Sequence, residues 1–268
     1  MAIYDCFQYF NEDHIVDLRL NILSDKVDYF IISESTKTHQ GKDKKLNFNI
    51  KNFKKYENKI KYLVADFDRE KNFCNHTGGE SVIEQHQRNN LSNGCKEAND
   101  NDLIILSDSD EIPDLNKLNQ IKSKTKFTAF SQMMFMYKIN LQNINESNWI
   151  GSKVCKKKYF PTPQKLRDMK FKEYKFWRFD KYNQQIIKGG WHFSFLQTPR
   201  GISEKIKSYS HGEFNVDSNT DENKIKKKIE EGKDIFDRGF NLKKIKIDGT
   251  FPEYIVNNQE VLKNWIIS

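Results

Sequence analysis

The 268-residue chain has only four cysteines, Cys6, Cys74, Cys95 and Cys155, far apart and without a Cys-x-x-Cys pair. That excludes a zinc finger and a small disulfide framework, and it predicts free thiols. Five prolines and 12 glycines gather into no Pro/Gly/Ser-rich joint, and no internal repeat or low-complexity tract interrupts the chain. No domain boundary is therefore drawn, and residues 1–268 are read as one domain. No apolar run approaches the ~20 residues that span a bilayer. The first residues also lack the basic and apolar regions of a secretory signal. The expectation is a cytoplasmic protein with no transmembrane segment.

The composition nevertheless demands a fold. Aromatic residues make up 13% of the chain, too many for a disordered polymer, and 268 residues bury a substantial core without metal or disulfide support. The formal charge is +8, which favours polyanionic ligands: a phosphate-rich donor, an acidic glycan or a peripheral membrane contact. The lysines are spread along the whole chain rather than clustered on one motif, so nucleic acid is not expected as a partner.

Hydrophobic periodicity gives an α/β order. Residues 3–10 alternate as a strand, Asn11 is an N-cap candidate before Glu12 and Asp13, and Ile15, Leu18, Ile22 and Leu23 recur at helical spacing. A second strand follows at Tyr29-Phe30-Ile31-Ile32, a third at residues 60–64, a helix at 81–98 and a fourth strand at 103–106. Short continuous apolar strands between helices fit a parallel sheet covered on both faces. The first ~110 residues thus read as a βαβ nucleotide-binding half. Farther on, residues 128–141 predict one or two core strands. Residues 176–196 predict strands broken at Gly189-Gly190, and residues 202–209 and 222–231 predict helices.

The sharpest local feature is Leu103-Ile104-Ile105-Leu106-Ser107-Asp108-Ser109-Asp110-Glu111-Ile112-Pro113: an apolar strand that ends in acids and is stopped by proline. Ligands of open α/β sheets bind beyond the carboxyl ends of strands. Carboxylates at 108, 110 and 111 repel one another unless a cation joins them. Oxygen ligands of this kind suit Mg²⁺ or Mn²⁺ together with substrate phosphates. The plainer reading is a helix start decorated with acids.

These residues resemble glycosyltransferase family 17, which includes the β-1,4-mannosyl-glycoprotein N-acetylglucosaminyltransferases. The resemblance rests on the Asp108-Ser109-Asp110-Glu111-Ile112-Pro113 segment. Further blocks follow in order: Asn11-Glu12, Asp28-Tyr29-Phe30-Ile31-Ile32-Ser33-Glu34-Ser35 with Thr38, His86-Gln87-Arg88, and Gly189-Gly190-Trp191-His192-Phe193-Ser194-Phe195. It implies a GT-A-like fold with a mostly parallel central sheet and an inverting transfer to a glycan acceptor. The donor it implies is a UDP-sugar, with UDP-GlcNAc the first choice. Residues 1–113 would bind the nucleotide-sugar and residues 114–268 the acceptor.

In the same reading Asp110 binds the metal, and Asp108 shares it or faces the ribose. Arg88 lies near the pyrophosphate, Glu34 reaches the nucleoside, and Asn11 belongs to the donor site. His192 is either a third metal ligand or a core histidine beside Trp191. Inverting transfer needs a carboxylate base. Glu213 is the first choice, with Glu111 and Asp180 as the other candidates. The membrane anchor and stem of the animal members are missing from the resemblance, which opens the acceptor to lipid-linked, lipopolysaccharide, capsular or virus-associated glycans. The competing classes are a metal-dependent phosphotransferase or nuclease and a basic glycan- or nucleic-acid-binding module.

Overall fold

A computed structural model describes residues 1–68, 82–145, 148–171, 183–208 and 216–267. The opening follows the periodicity: strand β1 (Ile3–Tyr9), helix α1 (Asp13–Leu23), strand β2 (Tyr29–Ser35) and strand β3 (Ile60–Ala65). Helix α2 (Val82–Asn90) and strand β4 (Leu103–Ser107) complete the βαβ part, and the two-residue strand β5 (Glu111–Ile112) follows the acids. Then come β6 (Phe127–Met136), β7 (Leu141–Asn143), β8 (Trp149–Lys156), α3 (Pro163–Asp168), β9 (Gln184–Ser194) and α4 (Pro199–Ser208). The chain closes with α5 (Asp217–Thr220), α6 (Glu222–Glu230), β10 (Leu242–Lys244) and α7 (Glu253–Asn257).

All strands among the described residues join one sheet. Its main order is β10-β7-β6-β8-β4-β1-β2-β3, with β9 paired to β6 and β5 to β9. The central quartet β4-β1-β2-β3 is parallel throughout, as a βαβ half requires. β8 joins β4 and β6 in antiparallel fashion, while β9 runs parallel to β6. The fold is therefore mixed α/β around a largely parallel centre, as the sequence predicts.

Alternation along the quartet divides the core between two faces. Phe7, Ile32 and Ile105 pack with Ile15 and Leu18 of α1 on one side. Cys6, Ile31, Ile104 and Leu106 pack with Leu91, Cys95 and Leu166 on the other. Each such side chain, fully buried, contributes about 1.5–3 kcal/mol, which is what docks an 11-residue helix that would be marginal in water. A third cluster joins Met134 and Met136 to Ile202, Ile206 and Ile225, so the Met-rich run is core packing. Cys6, Cys95 and Cys155 are buried free thiols, and Cys74 lies outside the described residues.

Three local expectations change. The cap of α1 is Glu12, not Asn11. Its carboxylate accepts the N–H groups of Phe10 and Asn11, both at 3.1 Å. The helix expected over 81–98 ends at Asn90 and tightens into a 3-10 turn at Leu91–Cys95. Gly94 in that turn lies so close to β2 that an added Cβ would sit 2.3 Å from Ile31. Finally, Gly189-Gly190 does not break its strand. It makes a bulge, because Ser131 and Met133 of β6 oppose Lys188 and Trp191 of β9, one extra residue on the latter. Gly190 has φ +109, and a Cβ there would meet the Ile112 carbonyl at 2.5 Å, so only glycine fits.

Candidate active site

The acid loop beyond β4 is shaped from below by Arg19 of α1. Its Nε and Nη2 donate to Asp5 Oδ2 and Oδ1, each at 2.6 Å. Its Nη1 donates to the carbonyls of Glu111 at 2.6 Å and of Asp108 and Ser109 at 3.3 Å. Three backbone acceptors on one planar fork fix the turn. The Asp108 N–H donates to Glu111 Oε2 and the Glu111 N–H to the Asp108 carbonyl, both at 3.1 Å. From the other side the Phe193 N–H donates to the Asp110 carbonyl at 2.9 Å, and Glu111 pairs with His192 across β5 and β9. The bulge at Gly190 thereby sets Trp191 in the core and His192 at the acids.

The three acids point to different partners. Asp108 Oδ2 accepts Arg167 Nη2 at 2.6 Å, and its Oδ1 is 3.7 Å from Arg88 Nη2. Burial works against its ionisation, but Arg167 and then Arg88 outweigh burial and hold the carboxyl at about 2. Asp110 Oδ1 is 3.6 Å from His192 Nε2 and its Oδ2 is 3.8 Å from Lys205 Nζ. Glu111 is fully buried. It accepts Trp149 Nε1 at 2.7 Å and Arg167 Nη1 at 3.0 Å on each oxygen. Glu111 is thus occupied as an anchor beneath the loop, and the structure does not place it to take a proton from a ligand.

These groups open on a cleft of about 350 Å³, within the range of small-ligand sites. Gln8 comes from the end of β1, Phe10 and Glu12 from the turn between β1 and α1, Gln87 and Arg88 from α2, and Asp108, Ser109 and Asp110 from the acid loop. Trp149, Arg167, His192, Phe195, Lys205 and Arg238 complete the wall from the second half. Arg88 is oriented by Glu84 Oε1 at 2.7 Å and Gln164 Oε1 at 2.6 Å. Lys205 bridges Glu12 at 3.2 Å and Asp110. Burial would lower the Lys205 pKa, but Glu12 and Asp110 raise it on balance, so the ammonium keeps its proton. Beneath Arg167, Lys153 donates to the carbonyls of Arg167 and Met169. Burial, helped by the Arg167 charge, pushes its amine down to about 8.

The other expected residues fall elsewhere. Glu34 does not reach the cleft: it is buried and accepts Lys44 Nζ, the N–H groups of Asn47 and Phe48 at 2.8 and 3.0 Å, and Tyr62 Oη at 2.8 Å. Its carboxylate folds the segment after β2 back onto the sheet and has no contact to spare for a nucleoside. Asn11 is not on the cleft wall, and its buried Oδ1 has no hydrogen-bond partner. Glu213 and Asp180 lie outside the described residues. Arg167, Lys205 and Trp149 were not singled out from the sequence, and Glu12 was named there in the Asn11-Glu12 block without a role in the site. The Pro161-Thr162-Pro163 start of α3, with Thr162 capping and proline in the first turn, was a signal that could have drawn attention to Arg167. Lys205 is one of 45 Lys and Arg residues and carries no such signal.

No group of three or more His, Cys, Asp or Glu side chains converges on a metal position among the described residues. The chemistry of the pair Asp110 and His192 nevertheless fits a divalent cation. A carboxylate oxygen and an imidazole nitrogen face each other at 3.6 Å, and His192 Nδ1 is buried without a hydrogen-bond partner. Mg²⁺ or Mn²⁺ commonly takes one or two protein ligands and completes its sphere with water and phosphate oxygens. Asp108, in contrast, is committed to guanidinium groups.

No curated protein matches the chain. Among solved structures, similarity is found to a putative glucose-1-phosphate thymidylyltransferase from Bacillus anthracis at 12% identity. That match covers 71% of this chain and 88% of the other, with a TM-score of 0.37. HddC from Yersinia pseudotuberculosis is similar at 10% identity over 70% and 90%, with a TM-score of 0.35. An active-site mutant of LgtC is similar at 13% identity over 64% and 66%, with a TM-score of 0.32. The sequence model of glycosyltransferase family 17 matches residues 1–240. The chain belongs to glycosyltransferase family 17, and its chemistry is glycosyl transfer.

Proposed function

We propose that the protein is an inverting, metal-dependent glycosyltransferase that moves a sugar from a UDP-sugar, with UDP-GlcNAc the first choice, to a glycan hydroxyl. The observation that carries this reading is the Asp110–His192 pair at the carboxyl end of a parallel strand, in a cleft also lined by Arg88, Arg167 and Lys205. Asp110 and His192 would hold Mn²⁺ or Mg²⁺, which when bound offsets the negative charge of a diphosphate. Arg88, fixed by Glu84 and Gln164, presents a planar cation suited to phosphate oxygens. Asp108 keeps Arg167 beside it in the same wall. Residues 1–113 bring Arg88, Asp108 and Asp110 to the donor side, where Arg167, His192 and Lys205 of residues 114–268 join them, and the acceptor side falls to the rest of residues 114–268.

In the transfer, the acceptor oxygen bonds to the anomeric carbon while the bond from that carbon to the diphosphate breaks, its electron pair staying on the phosphate oxygen. The acceptor proton passes to a carboxylate base, for which Glu213 is the first choice. The acceptor group is a glycan hydroxyl.

The test is scanning fluorimetry with UDP, GDP and CMP, each in Mn²⁺ and in EDTA, on the wild type and His192→Ala. At 100 times its Kd a ligand stabilises by about 2.7 kcal/mol. UDP should give the largest shift in Mn²⁺, a much smaller one in EDTA, and His192→Ala should lose most of the Mn²⁺ increment. Equal stabilisation by UDP in EDTA would remove the metal role from Asp110. Preference for another nucleotide would change the donor.

A further inference from the structure

Lys205 is a cation of the cleft whose three N–H donors exceed its two carboxylate partners among the described residues, and it is the lysine beside Asp110. Its ammonium lies 3.2 Å from Glu12 Oε1 and 3.8 Å from Asp110 Oδ2, with the Phe195 ring centroid 5.7 Å away. Three N–H donors thus meet two carboxylates and an aromatic face. The nearby guanidinium groups are committed more tightly: Arg88 to Glu84 and Gln164, Arg167 to Glu111 and Asp108. The Lys205 side chain is 26% exposed and lines the cleft. Its partner Glu12 is fixed by the N–H groups of Phe10 and Asn11, whereas the lysine has a four-carbon stem. It stands beside the same carboxylate that faces His192, so an anion drawn to Asp110 through a cation comes within the reach of the ammonium.

We propose that Lys205 is a diphosphate-binding residue whose ammonium exchanges Glu12 for a phosphate oxygen of the donor and meets the charge that collects on the departing nucleoside diphosphate. This rests on the glycosyl-transfer reading given above. As the bond between the anomeric carbon and the β-phosphate oxygen breaks, its electrons stay on that oxygen, beside Lys205. The acceptor proton goes to the carboxylate base, and Lys205 keeps all three of its own. Its contribution is a fixed positive charge at the place where negative charge develops.

Calorimetric titration of the full chain with UDP, pyrophosphate and uridine, in Mn²⁺ and in EDTA, tests the assignment. Lys205→Met should weaken UDP and pyrophosphate by about 10- to 100-fold, the size of one lost hydrogen bond to a charged group. Uridine binding should change by less than about twofold, and Lys205→Arg should recover most of the UDP affinity. Since Lys205→Met leaves Glu12 unpaired, Glu12→Gln is measured beside it. That variant retains the ammonium and removes its competitor, so UDP should bind as tightly as to the wild type or more tightly. UDP binding that is indifferent to Lys205→Met, an equal loss of UDP and uridine, or a tenfold loss in Glu12→Gln would overturn the assignment alone. Failure of the wild type to bind any of UDP, GDP or CMP would overturn the glycosyl-transfer reading and the assignment together.

Discussion

Arg19 and Asp5 form a bidentate ion pair in which neither side chain has any solvent exposure. Taking two charges out of water is costly, and such a pair competes poorly with an apolar pair of equal volume; removing one partner alone is what destabilises, by about 3–5 kcal/mol. Arg19→Met should therefore lower stability by about that amount in urea denaturation. The double variant Arg19→Met/Asp5→Leu should recover part of the loss, because no uncompensated charge remains. Neither should bind UDP in Mn²⁺ like the wild type, since the carbonyls of residues 108, 109 and 111 lose the donor that shapes the loop. Full UDP affinity in the double variant would show that the loop holds its form without Arg19.

The Asp108–Arg167 contact predicts an acid dependence with a definite sign. The folded carboxyl is held at about 2, below its ordinary 3.8. A depressed carboxyl stabilises the fold above the ordinary value and loses that contribution as pH falls through the folded one. Carboxyl-carbon NMR titration should find Asp108 ionised throughout the range from pH 4 to 8. In Arg167→Gln the midpoint should move upward, because burial still opposes the charge and Arg88, at 3.7 Å, is the remaining guanidinium. An unchanged midpoint in that variant would mean that Arg167 is not what holds the group down.

The base can be separated from the anchor by two substitutions. Glu213→Gln should lower kcat for sugar transfer by about 10²–10⁴-fold, the usual contribution of a general base, with UDP and Mn²⁺ binding unchanged. Glu111→Gln should act on the fold instead, costing about 1–3 kcal/mol, because an amide facing Trp149, Arg167 and the Asp108 N–H leaves buried donors unsatisfied. Wild-type transfer by Glu213→Gln, with Asp180→Asn inactive and donor binding intact, would move the base to Asp180.

The strands and helices of the first half were legible because burial on both faces writes continuous apolar runs, as at Leu103-Ile104-Ile105-Leu106, and because Pro113 marks where the run must stop. The acid loop was legible for the same reason. Glu34 was misread because its partners sit 10 to 28 residues away, at Lys44, Asn47, Phe48 and Tyr62, and nothing local announces that a carboxylate will be used to close a loop. Gly189-Gly190 invited a break, yet the parallel partner β6 absorbs the extra residue as a bulge. Arg167 and Lys205 reach the acids from helices with ordinary polar surfaces, across separations that periodicity cannot see.

Strand β4 also bears on whether the two halves of the chain could be exchanged as modules among related proteins. Its five residues are all buried, with β1 along one edge and β8 along the other. A piece ending after Pro113 would keep the first neighbour and lose the second. Five apolar or small residues would then border an open row of amide and carbonyl groups, which is a template for self-association. The strand that carries the acids is thus completed only by residues 153–156 from beyond the division. Recombination at that point would give insoluble fragments before it gave a new donor specificity.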